Sequence, residues 1–108
     1  MENELVEKIF KILDNKKAID ITKIDLNNKT TIADYFIVAS GTSNTHVKSL
    51  ADNVEEELKK EGILPNKIEG YDSGLWILMD YGEVIVHIFT KAERENYSLE
   101  DLWSKSNK

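Results

Sequence analysis

Apolar residues recur at helical spacing from the start of the chain. Leu5, Ile9, Ile12 and Leu13 stand at i, i+4, i+7 and i+8, and Val6 and Phe10 widen the stripe, so this stretch predicts an amphipathic helix closed by Asn15-Lys16-Lys17. Ile19-Asp20-Ile21 and Ile24-Asp25-Leu26 then alternate in opposite parity, which predicts an edge strand with a bend or bulge where the facing switches. After the polar, turn-like run Asn27 to Thr31, Tyr35-Phe36-Ile37-Val38-Ala39 is continuously apolar. It is rich in aromatic and β-branched residues and reads as a strand buried on both faces of a mixed sheet.

Ser40-Gly41-Thr42-Ser43-Asn44 turns the chain into a second helix, with Ser43 or Asn44 as N-cap. Val47, Leu50, Ala51, Val54 and Leu58 form its buried stripe, and Gly62 is placed to end it in a left-handed conformation. Glu55 with Lys59 and Glu56 with Lys60 stand at the favourable i, i+4 order on a solvated face. Pro65 starts a connection to Lys67-Ile68-Glu69. The runs Leu75 to Met79 and Val84 to Phe89 flank Asp80-Tyr81-Gly82-Glu83, the pattern of a β-hairpin. Ser98 to Trp103 resembles a short capped helix. The order α-β-β-α-β-β-β-α specifies an α/β fold: a single domain over residues 1–108, with a mixed sheet of about five strands flanked by helices.

Composition narrows the function. The net charge is −6, from 14 basic and 20 acidic residues, and the lysines form no patch, so little direct nucleic-acid binding is expected. A basic protein partner fits better, although a negative charge that merely keeps the chain soluble accounts for the number more simply. No apolar run reaches the roughly 18 residues of a membrane span, the start is acidic, and cysteine is absent. A cytoplasmic protein without disulfides or thiolate metal sites is expected.

Chemistry is sparse. His46 and His87 have no ligand-like spacing, and Ser40-Gly41-Thr42-Ser43 lacks a nucleophile elbow, so neither metal nor cofactor is expected. The enzymatic rival is nucleotidyl transfer. A strand running into Gly41-Thr42-Ser43 and a helix is half of that pattern, with helix-terminal amides holding phosphate. The other half, two alternating carboxylates for magnesium, is missing from the apolar strands. What does stand out is the last hairpin. Ile85, His87 and Phe89 share one face of its returning strand and Val84, Val86 and Ile88 the other. Trp76, His87 and Phe89 rimmed by Asp and Tyr have the composition of an interface core, or of a core packed beneath a helix.

Three blocks of the chain resemble the ribosomal silencing factor (Iojap-related) family: Asp34 to Ser43 with His46-Val47, Glu69 to Phe89, and Glu93 to Trp103. Two small departures are Tyr71, where relatives often have another residue, and a tail that ends soon after Trp103. The resemblance implies a nucleotidyltransferase-like fold without the catalytic carboxylates, hence a translational repressor and not an enzyme. It also implies binding to ribosomal protein L-fourteen of the large ribosomal subunit, steric exclusion of the small subunit, and a homodimer off the ribosome. Carried over residue by residue, the partner-binding surface comprises Trp76, Asp80, Tyr81, His87 and Phe89, with Asp72, Glu93 and Glu95 nearby. A scaffold for some other basic protein is the third reading.

Overall fold

In the computed structural model, which describes residues 4–26 and 33–97, helix α1 (Glu4–Asn15) leads into strand β1 (Ile19–Asp25). The stripe on α1 is narrower than its spacing predicts. Val6, Ile9 and Leu13 are buried and Leu5 and Ile12 half-buried, while Phe10 turns outward and is 36% exposed. The switch of facing in β1 is a real irregularity. Its pairing with β2 (Tyr35–Gly41) shifts register between Ile19 and Thr22, and Asp20 sits at φ 50° to absorb the extra residue.

Helix α2 (Asn44–Lys59) is capped by Ser43, whose hydroxyl accepts from the His46 amide at 3.1 Å. The whole predicted stripe, Val47, Leu50, Ala51, Val54 and Leu58, is buried. At the far end Ile63 N–H donates to Leu58 and Gly62 N–H to Lys59, with Gly62 at φ 79°, a Schellman closure that Gly62 allows without strain. The surface ion pair that forms on this helix is Lys60 with Glu57, an i, i+3 contact at 3.1 Å in place of the i, i+4 pair expected for Lys60.

The chain then meanders through β3 (Lys67–Glu69), β4 (Trp76–Asp80) and β5 (Val84–Thr90) into α3 (Lys91–Tyr97). The sheet order is β1-β2-β5-β4-β3, all antiparallel except the β2–β5 pair. α2 is the crossover that carries the chain from β2 to the opposite edge, so β5 can return to the centre beside β2. Helix α3 starts directly after β5, in a stretch for which the sequence pattern predicts no helix. The capped helix expected at Ser98 to Trp103 lies outside the described residues, as does the turn at Asn27 to Thr31.

Because side chains alternate across a strand, the sheet sorts its residues into two layers. Ile37, Ala39, Ile77, Met79, Tyr81, Val84, Val86 and Ile88 face α1 and α2 and join them in one cluster. Phe36, Val38, Trp76, Leu78, Ile85 and Phe89 form a second cluster on the other face, with Ile24, Leu26 and Ala33.

Candidate functional site

The second face is built in rows by strand register. Phe36 pairs with Ile85, Val38 with His87 and Ser40 with Phe89 across β2–β5, while Leu78 pairs with His87 and Trp76 with Phe89 across β4–β5. His87 therefore stands mid-sheet between aromatic neighbours. Its ring centroid lies 4.5 Å from Phe36, edge-on at 68°, and 6.3 Å from Phe89, nearly parallel. Trp76 stacks on Phe89 at 4.9 Å, and such aromatic pairs contribute about 1 kcal/mol each beyond area burial. Phe89 is fully buried and Trp76 half-buried. At this end Gly70, at φ 80°, lies so close to the Trp76 carbonyl that a Cβ there would stand 2.1 Å from the oxygen; only glycine lets the 70–75 loop close on β4.

A hydrogen bond the sequence did not reveal ties the group together. The Trp76 indole N–H donates to His87 Nδ1 at 3.1 Å. His87 must then be neutral with its proton on Nε2, and burial pushes its pKa down from 6.5 to about 4. Nε2 itself is buried and has no hydrogen-bond partner.

The fringe of this face is charged. On β3, Lys67 and Glu69 pair in register with Asp80 and Leu78 and approach each other at 3.5 Å. Asp80 Oδ1 also accepts from the Gly82 amide at 2.8 Å, which shapes the hairpin turn. α3 is fastened near the opposite edge by Arg94, whose guanidinium donates to Ser40 Oγ, Thr22 Oγ1 and the Ile19 carbonyl at 3.0 to 3.3 Å.

Of the eight residues expected to bind a partner, Trp76, Asp80, His87 and Phe89 share this face by strand alternation. Tyr81 does not. It follows Asp80 by one residue, so its ring turns to the opposite layer and is buried under the helices. Burial and then the Glu55 charge push its hydroxyl pKa up to about 12, and that hydroxyl has no hydrogen-bond partner. Asp72 lies exposed in the 70–75 loop, and Glu93 and Glu95 stand on α3, with Glu95 exposed. Trp76, His87 and Phe89 thus form a coherent group, whereas Tyr81 can reach a partner only if the helix layer is disturbed. Arg94 was missed as a structural tie; a lone arginine in a charged run carries no positional signal.

Two amides of the rival phosphate cradle are already engaged within the chain. The Thr42 amide donates to His46 Nδ1 at 3.0 Å, and the Ser43 hydroxyl takes the His46 amide. His46 Nε2 lies 3.2 Å from the Lys16 carbonyl, so this histidine joins α2 to the end of α1. Among the described residues there is no cluster of three or more His, Cys, Asp or Glu able to hold a metal, and no helix long and apolar enough to cross a membrane.

Comparison with known proteins gives a consistent picture. A family profile described as ribosomal silencing factor during starvation matches residues 1–108. The ribosomal silencing factor RsfS of Haemophilus influenzae is 41% identical over 100 residues, covering 93% of this chain and 98% of that protein. A crystal structure of a Chromobacterium violaceum protein superposes with a TM-score of 0.92 at 38% identity, over 96% of this chain and 88% of the other. A more distant mouse protein named mitochondrial assembly of ribosomal large subunit protein 1 is 30% identical over 92% of this chain and 45% of its own length.

Proposed function

Because the chain belongs to the ribosomal silencing factor family, we propose that it represses translation by docking on the large ribosomal subunit and sterically excluding the small one. The contact is with ribosomal protein L-fourteen, and the chain works in the cytoplasm without cofactor or catalysis. Off the ribosome it forms a homodimer. The observation that carries this reading is the second face of the sheet. A half-buried tryptophan stacked on a buried phenylalanine, rimmed by Lys67, Glu69 and Asp80, has the apolar centre and polar rim of a protein interface. The name of the mouse relative supports the choice of subunit. The net charge of −6 favours a basic partner over bare nucleic acid.

Exclusion demands only affinity and a position that clashes with the incoming subunit. The test is co-sedimentation with separated large and small subunits, followed by both together. Binding to large subunits alone, with fewer joined ribosomes as protein is added, supports the proposal. Binding to neither subunit sinks it.

A further inference from the structure

We propose that His87 is a positioning residue that fixes the Trp76 indole in one orientation for docking, and is not itself a contact residue; its purpose rests on the docking face proposed above. Stacking on Phe89 at 4.9 Å sets the plane of the indole. The N–H bond to His87 Nδ1 selects which way round the ring lies in that plane, because only one of the two orientations offers a donor to the imidazole.

The imidazole is in turn held on both sides, edge-on by Phe36 at 4.5 Å and in near-parallel alignment with Phe89 at 6.3 Å. It is 4% exposed, so it presents almost no surface to a partner. Its other nitrogen is buried without a hydrogen bond, a cost that leucine, of similar size, would avoid. Stability alone therefore argues against histidine here, and the bond to Trp76 is what the residue supplies in return. A tryptophan already fixed in its bound orientation loses less rotamer freedom on docking, which raises affinity without adding a contact.

The test compares His87→Leu, which deletes the acceptor, with His87→Asn, which retains a carbonyl near the place of Nδ1. The indole resonance of Trp76 is assigned by its disappearance in Trp76→Phe, and its proton exchange is followed in the full chain. In His87→Leu the indole proton exchanges about tenfold faster and large-subunit affinity falls about tenfold, while the thermal midpoint holds or rises. His87→Asn restores both slow exchange and affinity. Unchanged exchange and affinity in His87→Leu, or a folded His87→Asn that rescues neither, would overturn the proposal. A wild-type chain that binds no large subunit removes the docking reading and with it the purpose of the pair; the exchange rates then show separately whether His87 orients the indole.

Discussion

The two faces of the sheet use apolar residues differently. Beneath α1 and α2 the layer is aliphatic, built from Ile37, Val84, Val86, Ile88 and Met79 against Ile9, Leu13, Leu50, Val54 and Leu58, all fully or almost fully buried. Across the sheet the layer is aromatic and interrupted by a polar ring, with His87 beside Phe36, Trp76 and Phe89 and Trp76 stacked on Phe89, Trp76 and Leu78 only half-buried, and charged residues along β3. The first layer fills its volume mostly with side chains that have no polar atom to satisfy, the buried Tyr81 hydroxyl being the exception. The second accepts a buried imidazole and fixes ring orientations at a cost in stability, which suits the docking surface proposed above.

This contrast yields measurable differences. On the helix-covered face, Leu50→Ala leaves a cavity and should cost about 3 kcal/mol, lowering Tm by roughly 10 °C or more, with subunit affinity per folded molecule unchanged. On the aromatic face, His87 makes stability depend on acid. Its pKa is lower in the fold than in the unfolded chain, so between pH 6.5 and about 4 the unfolded chain takes up a proton that the fold refuses. The stabilisation is complete above pH 6.5 and is lost as pH falls through 4, amounting to about 3 kcal/mol. Denaturant titrations at pH 7 and pH 4 should show His87→Leu losing less stability than the wild-type chain over that interval; equal losses would contradict the assignment.

Next in size, Trp76→Ala should weaken large-subunit binding by about 2 kcal/mol, near thirtyfold, while the helix layer keeps the protein folded. The smallest effect belongs to Tyr81→Phe. Removing a buried hydroxyl that has no hydrogen-bond partner should leave stability unchanged or raise it by up to about 1 kcal/mol in urea unfolding, with subunit binding intact. Loss of binding in that variant would return Tyr81 to the docking surface.

The helix-covered layer could be read almost entirely from periodicity, because a stripe such as Val47, Leu50, Ala51, Val54 and Leu58 has only one apolar side to bury. The parity switch between Ile21 and Ile24 likewise announced the β1 irregularity, and turn chemistry announced the hairpin. The parallel pairing of β2 with β5 could not be read locally, since it joins segments some fifty residues apart through α2. Helix α3 was hidden for a related reason. Lys91 to Tyr97 has no apolar stripe and is held by the tertiary bonds of Arg94. Of the aromatic face, strand alternation placed His87 and Phe89 together, and alternation carried through the turn would have set Tyr81 apart. The indole–imidazole bond depends on cross-strand register and had no signature in the sequence.

The most direct measurement is the large-subunit affinity of Trp76→Ala set beside that of Glu56→Lys, a charge reversal on the exposed side of α2. Docking through the aromatic face predicts a near-thirtyfold loss for Trp76→Ala and little change for Glu56→Lys. Full affinity in Trp76→Ala with binding lost in Glu56→Lys would place the ribosome on the helical side of the molecule and contradict the division of labour between the two faces.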